Sequence, residues 1–274
     1  MFPYFDALFT NLKQGDQPTQ EAFGEFVHWG YWADPKTETI TPLEFHEAAV
    51  VMLRQMLKDV SPPPGSKVLD AGSGLGGTLK FLNENFAGCA LVGVNIDERQ
   101  IEQSKKKLQP ARGNTIEIVK TDACAMPFPE ENFDLILCVE SIFHFGSRAA
   151  FFKEARRVLK PNGRFIVSDF VPLHVFSSFM DFTQRKLDLI SKAYGNVDIN
   201  VSVPKYAELA RSSGLVLEAA EDITANTLPT YRFLRNNLSM SKAEQDYRRA
   251  TSVIEWVSRI GMLRYQILSF KRAA

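Results

Sequence analysis

The stretch Lys67-Val68-Leu69-Asp70-Ala71-Gly72-Ser73-Gly74-Leu75-Gly76-Gly77 constrains the fold more than any other part of the chain. Val68 and Leu69 form a short apolar strand, Asp70 falls where that strand ends, and Gly72, Gly74, Gly76 and Gly77 permit a tight turn into a following helix. At such a turn glycine supplies backbone angles closed to other residues and lets a ligand approach the main chain without Cβ interference. The ligand suited to this unit carries a nucleoside. Gly72, Gly74 and Gly77 also satisfy the GxGxxG spacing of a dinucleotide fingerprint, so the loop alone leaves the cofactor open.

The surrounding pattern sets the fold class. Strand-like runs at 67–70, 90–95, 115–120, 133–139 and 164–169 alternate with helix-like segments at about 76–86, 98–108 and 147–159. That alternation predicts an α/β, doubly wound sheet of the Rossmann-like kind, mostly parallel. A helix near 203–213, a strand at 215–222 and a strand-like run Gly261–Lys271 bring the sheet to seven strands. Ahead of the core, Thr41-Pro42-Leu43-Glu44 is a capping box with proline at the first helical position, and apolar residues at helical spacing extend that helix to about 59. Ser61-Pro62-Pro63-Pro64-Gly65 breaks it, and Lys160-Pro161-Asn162-Gly163 reads as a turn between the helix ending near 159 and the strand that follows. Residues 170–202, rich in phenylalanine, and 226–258, containing a second capping box Ser241-Lys242-Ala243-Glu244, fit helical spacing best. The expected organisation is an N-terminal helical segment, 1–60, covering the cofactor; a core of 61–170, 203–225 and 259–274; and a helical substrate cap of 171–202 and 226–258.

Charge and cysteine usage exclude several functions. The 32 basic and 32 acidic side chains cancel, which removes bulk attraction to nucleic acid or an anionic membrane and points to a small-molecule partner. Cys89, Cys124 and Cys138 sit in or beside apolar runs without the close pairing of metal or redox sites, as expected of thiols in a reducing, cytoplasmic setting. No apolar run reaches membrane-spanning length, so membrane insertion is not expected. No Asp/Asn cluster suggests a metal. The 21 phenylalanines predict a large aromatic core or an apolar pocket.

Four further segments carry a resemblance to the class I S-adenosylmethionine-dependent methyltransferases of the natural-product, sterol and tocopherol type, over roughly residues 20–225. Val68-Leu69-Asp70-Ala71-Gly72-Ser73-Gly74 matches the family's first motif, with an acid immediately before the glycines that the dinucleotide fingerprint lacks. The resemblance implies that Asp70 helps place the methionine amine while Ala71, Gly72, Ser73 and Gly74 admit the sugar and methionine. Val92-Gly93-Val94-Asn95-Ile96-Asp97-Glu98-Arg99-Gln100 matches the ribose segment. Most of the family has an acid at the position of Asn95, and an amide there can accept one bond and donate another. Gln100 matches a glutamine that shares the ribose, although Asp97 and Gln100 also read as a capping-box-like pair at the start of a helix. Thr121-Asp122-Ala123-Cys124-Ala125-Met126-Pro127-Phe128 resembles the adenine turn, where Asp122 would accept from the adenine amine and the Ala123 backbone would meet the ring, with Met126 or Phe128 packing on it. Arg157-Val158-Leu159-Lys160-Pro161-Asn162-Gly163 resembles the recurring RVLKPGG turn, with Asn162 as the departure. His28-Trp29-Gly30-Tyr31-Trp32 resembles an element that folds over the cofactor, where Tyr31 or Trp32 would face the sulfonium; the same residues also read as an aromatic plug.

The chemistry would then rest on Glu140-Ser141-Ile142-Phe143-His144-Phe145, which leaves the fourth strand, and on Asp169 at the end of the fifth. Glu140 would border the cofactor. In the family's natural-product enzymes a histidine and an aspartate in these positions act as general base and orienting partner, which assigns those roles to His144 and Asp169. A histidine satisfied among core phenylalanines is the alternative. The expected reaction is methyl transfer from S-adenosylmethionine to an oxygen of a small or mid-sized apolar metabolite, such as a polyketide or nonribosomal peptide. The alternatives are C-methylation of a sterol, quinone or tocopherol-like ring and, from another class, a nicotinamide-dependent oxidoreductase.

Overall fold

Local chemistry explains where the elements begin. In the computed structural model, which describes residues 3–174, 198–237 and 242–273, Thr41 accepts from the Glu44 backbone while the Glu44 carboxylate accepts from Thr41 N. This is the reciprocal cap that starts helix α3, Pro42–Met56. Ahead of it lie α1, Pro3–Lys13, and α2, Gln17–Phe23, the latter capped by Asp16. The core then alternates β1 (Lys67–Ala71), α4 (Gly77–Asn85), β2 (Ala90–Asn95), α5 (Glu98–Lys107), β3 (Thr115–Lys120), β4 (Phe133–Val139), α6 (Arg148–Val158) and β5 (Leu159–Pro172). After it come α7 (Val203–Ser212), β6 (Leu215–Asp222), α8 (Thr224–Asn237), α9 (Lys242–Arg259) and β7 (Leu263–Arg272).

The seven strands form one sheet in the order β3-β2-β1-β4-β5-β7-β6. β1 to β5 pair in parallel, and β7 runs antiparallel to both β5 and β6. This is the expected α/β sheet. Successive residues of a strand face opposite sides, and here each side is covered. Leu135, Leu137, Ile166, Tyr265 and Ile267 join a core with α2, α3, α4 and α8. Ile136, Cys138, Phe165, Val167, Leu268 and Phe270 join another with α6 and α7. The strand order reverses between β1 and β4, so a crevice opens at their carboxyl ends, where the glycine loop and the residues after β4 meet.

Three boundaries differ from expectation. Residues 160–163 do not form a turn outside the sheet. β5 begins at Leu159, opposite Phe133, and the irregularity is absorbed by a register shift, with Asn162 in the left-handed region at φ 63°. β5 also runs on to Pro172, because β7 pairs along its whole second half. Of the proposed first cap block, 171 and 172 belong to β5, and 175–197 lie outside the described residues, as does Ser241 of the second capping box. The second block does contain helices, α8 and α9.

Candidate active site

The glycine loop is held by its own backbone. Gly72 N and Ser73 N both donate to Val94 O at 3.0 Å, folding the turn across the end of β2. Gly72 has φ 85°, and a Cβ there would lie 2.5 Å from Ser141 Cβ. Ser141, just after β4, donates its hydroxyl to Ala71 O at 2.7 Å. The two strand ends are therefore locked together at a spacing only glycine allows. Gly74, at φ 52°, faces Val27 and lies 4.0 Å by its Cβ direction from Gln100 Oε1. Asp70 is 1% exposed, and its Oδ2 has no hydrogen-bond partner among the described residues. Burial pushes its carboxyl up to about 7. Ser73 Oγ is likewise buried and unpartnered.

The next two strand ends carry polar groups in order along the sheet. At the end of β2, Asn95 donates through Nδ2 to Gln100 Oε1 at 2.8 Å and accepts from Asp97 N at 3.0 Å. Asp97 caps α5 by accepting from Arg99 N. Gln100 thus pairs with Asn95 instead of completing a capping box, and the two amides form one unit beside Gly74. Ile96 is 59% exposed on the same strand end. Beyond β3, Asp122 accepts from Cys124 N at 2.8 Å, making a tight turn around the buried Ala123. Met126 and Phe128 pack inward with the α6 side of the core, Phe128 edge-on to Phe133, and not on the turn's outer face.

On the other side of the loop the N-terminal aromatic segment is bolted to the sheet. Trp29 N donates to Glu140 Oε1 at 2.6 Å, and the Tyr265 hydroxyl donates to the same oxygen. Glu140 has φ 44°, an uncommon conformation for a residue with a side chain, of the sort that clusters at functional sites. Burial raises its carboxyl to about 8, partly offset by these two donors. The Trp29 ring packs edge-on against Tyr231 at 4.2 Å and Phe170 at 4.9 Å. Trp32 donates its indole N–H to Thr230, and Tyr31, half-buried, donates its backbone N–H to Ala48 O and packs against the α3 side of the core. His28 donates Nδ1–H to Trp29 O, so its Nε2 is left as an acceptor, and burial holds its pKa down to about 4. The Glu140–Trp29–Tyr265 arrangement carries no sequence signal: its members are brought together only by the fold.

His144 ends the 3-10 turn Ile142–His144 and lines an open cleft with Phe143, Phe145, Gly146, Ser147, Arg148 and Asp198. Burial lowers its pKa to about 4, so the imidazole is neutral at physiological pH. Asp169 differs from expectation. Its side chain points to the α6 and α7 face of the sheet, where Oδ2 accepts from Arg148 Nη1 at 2.7 Å and from the Tyr206 hydroxyl. Arg148 also holds Asp198 through Nε. The expected His144–Asp169 pair is replaced by an Asp169–Arg148–Tyr206 network, because Ser168 and Phe170, not Asp169, face the Glu140 side.

A family profile described as a methyltransferase domain matches residues 69–167, from the first strand to the fifth. Methyltransferase GfsG of Streptomyces halstedii is 28% identical over 218 residues, covering 79% of this chain and 75% of that protein. The 27-O-demethylrifamycin SV methyltransferase of Amycolatopsis mediterranei is 28% identical, covering 77% of this chain and 74% of that protein. The matched domain and these relatives support a class I S-adenosylmethionine-dependent methyltransferase. This methyltransferase is also similar to a sterol 24-C-methyltransferase of Pneumocystis carinii, 28% identical over 73% of the chain and 55% of that protein. Two solved structures share its fold. They are a putative sarcosine dimethylglycine methyltransferase from Galdieria sulphuraria, with TM-score 0.73, 19% identity and coverage of 95% and 98%, and the mycolic acid cyclopropane synthase CmaA1, with TM-score 0.76, 19% identity and coverage of 90% of each chain. The methyltransferase match removes the nicotinamide alternative. The residues present also fit the cofactor, since a methionyl amine is a donor for the orphaned Asp70 Oδ2, and Ser73 Oγ is a second buried polar atom of the loop without a partner among the described residues.

Proposed function

We propose that this methyltransferase acts on an oxygen of a small or mid-sized, largely apolar metabolite of the polyketide or nonribosomal-peptide kind, with His144 as general base. The observation that carries the reading is His144 itself: a neutral imidazole in a cleft at the end of β4, flanked by Phe143 and Phe145. When bound, S-adenosylmethionine supplies an electrophilic methyl carbon on a sulfonium. His144 would take the proton of the acceptor hydroxyl as that oxygen receives the methyl group. Asp70, Ala71, Gly72, Ser73 and Gly74 would hold the methionine end, Asn95 and Gln100 the ribose, and Ile96, Asp122 and Ala123 the adenine. Tyr31 and Glu140 would close the site from the N-terminal side. Holding oxygen against carbon supplies much of the rate, since well-oriented reactants reach effective molarities of about 10⁵ M or more. Asp169 would act on the site only indirectly, by fixing Arg148 at the start of α6.

The test is His144→Ala. Methyl transfer to oxygen should fall by about a hundredfold or more, with S-adenosylhomocysteine affinity unchanged by calorimetry. Full activity in this variant rejects the base assignment.

A second reading rests on Glu140. A buried carboxyl beside the rings of Trp29, Phe170, Tyr231 and Tyr265 suits an acceptor that develops positive charge on carbon, as C-methylation of a sterol or quinone-type ring would require. Fragmentation of the methylated product, locating the new methyl on oxygen or carbon, separates the two.

A further inference from the structure

Arg148 is the first residue of α6 and is 5% exposed, a costly place for a guanidinium unless its donors are used. Its two ends hold different parts of the chain. Nη1 donates to Asp169 Oδ2 at 2.7 Å and to the Tyr206 hydroxyl, which itself donates to Asp169. Nε donates to Asp198 Oδ2 at 3.2 Å, and Nη2 donates to Asp198 O. One guanidinium therefore ties the end of β5 and helix α7 to the backbone at 198. Asp169 is fully buried, whereas Asp198 is exposed.

What Asp198 does with this anchorage bears on His144. Asp198 N donates to Phe143 O at 3.0 Å, and His144 N donates to Ser141 O at 2.9 Å. The carbonyl and the N–H belong to one planar peptide group, the one joining Phe143 to His144, so its orientation is fixed from both sides. Ser141 leads back to the glycine loop through its hydroxyl bond to Ala71 O, and Asp198 leads to Arg148 and Asp169. The His144 ring in turn lies edge-on to Phe143 at 4.5 Å. The imidazole is thus set by the glycine loop on one side and by the Arg148 network on the other.

We propose that Arg148 is a positioning residue, which through Asp198 holds the Phe143–His144 peptide, and with it the imidazole, at a fixed place beside the cofactor loop. A lysine does not suffice here, because only a planar fork reaches Asp169 and both the carboxylate and the carbonyl of Asp198 at once. Lysine does supply the charge that keeps Asp169 paired, so the two duties of Arg148 can be separated. The consequence for turnover rests on the proposed base role of His144; the placement of the ring does not. A displacement of about 1 Å in a reacting group costs about a hundredfold in rate.

The test follows His144 directly and needs no acceptor. The chain holds 4 histidines, so the full protein with isotope-labelled histidine, bound to S-adenosylhomocysteine, gives few ring resonances by NMR, and His144→Ala assigns the one sought. In Arg148→Lys the His144 resonance should shift and broaden, while that of His28, bonded to Trp29 O, stays in place and S-adenosylhomocysteine affinity is unchanged. Asp198→Ala should displace it less, and Asp198→Asn, which keeps an oxygen for Nε, should restore the original position. A residue that only stabilises the fold would lower the unfolding temperature without moving that resonance in the folded protein. In the methyl-transfer assay used for His144→Ala, Arg148→Lys should lower kcat by about tenfold or more without raising KM for S-adenosylmethionine. An unmoved His144 resonance in folded Arg148→Lys overturns the proposal; if that variant does not fold, an Asp198→Ala spectrum identical to that of the unaltered protein overturns it. Full activity of His144→Ala together with a displaced His144 resonance in Arg148→Lys rejects the base role alone and leaves the positioning role standing.

Discussion

The ends of β1 to β3 and the ends of β4 and β5 are built on different principles. The first group is a backbone construction: Gly72 N, Ser73 N and Val94 O fold the loop, and the side chains that matter are near in sequence, Asn95 with Gln100 and Asp122 with Cys124. The second group is a side-chain construction across long separations, in which Glu140 joins Trp29 and Tyr265, and Asp169 joins Arg148 and Tyr206. A region fixed by local backbone geometry tolerates little change in shape, whereas one fixed by distant side chains can be retuned one contact at a time. On the proposed assignment of the site, the cofactor end would be set by backbone shape and the acceptor end by side-chain contacts.

The strongest way to break this contrast is Gly72→Ala. The new Cβ would stand 2.5 Å from Ser141 Cβ on a backbone at φ 85°, so loop and strand must part. Overpacking costs about 1–3 kcal/mol and the left-handed conformation about 1 kcal/mol more. Calorimetry should find S-adenosylhomocysteine binding lost, and thermal unfolding should move down. Retained binding would mean that the cradle does not depend on glycine.

Asp169→Asn probes the other end. It leaves the Arg148 guanidinium buried with only Asp198 as a charged partner, and breaking a buried pair costs about 3 kcal/mol or more. Urea unfolding should show that loss, while cofactor affinity changes less than about threefold, because the side chain faces α6 and α7. A collapse of cofactor affinity with stability intact would place Asp169 in the site after all.

Glu140 sharpens the comparison through pH. Its folded pKa is raised to about 8, above the unfolded value of about 4.3, so the folded state keeps a proton that the unfolded chain releases. Its contribution to stability is therefore fully present below about pH 4.3 and is lost as pH rises through about 8. Asp70, raised to about 7, has the same sign. Glu140→Gln should flatten the decline in unfolding free energy measured between about pH 5 and pH 8. An unchanged slope would assign the decline to Asp70 and leave Glu140 ionised in the folded protein.

These differences also explain what could be read from the chain before folding. The mostly parallel seven-stranded sheet and the glycine turn were legible because they rest on short apolar runs alternating with helical segments, on glycine positions and on caps such as Thr41 with Glu44. The extension of β5 was not, because Leu159 to Gly163 look like a turn locally and join the strand through the pairing of Leu159 with Phe133, while the far end, up to Pro172, is strand through its pairing with β7. The direction in which Asp169 points was illegible for a related reason. A one-residue shift along a strand moves a side chain to the opposite face, and no local pattern says whether Ser168 or Asp169 faces the crevice. Glu140 could be named from its place after β4, but its bonds to Trp29 and Tyr265 span most of the chain.

Asn95→Asp tests the smallest difference between the two ends, a change of one atom in the cofactor half. The present amide donates to Gln100 Oε1 and accepts from Asp97 N. A carboxylate can keep the second bond, and Gln100 can turn its amide to donate in place of accepting, so the local pair survives by reorientation. The gain is a second acceptor for the ribose hydroxyls, set against the loss of one donor, a net of about one hydrogen bond or about 1 kcal/mol. Calorimetry should therefore record a change in S-adenosylhomocysteine affinity of no more than about fivefold, in the direction of tighter binding. A much larger loss would show that Asn95 donates to the cofactor, and that this end of the site also depends on a particular side chain and not on backbone shape alone.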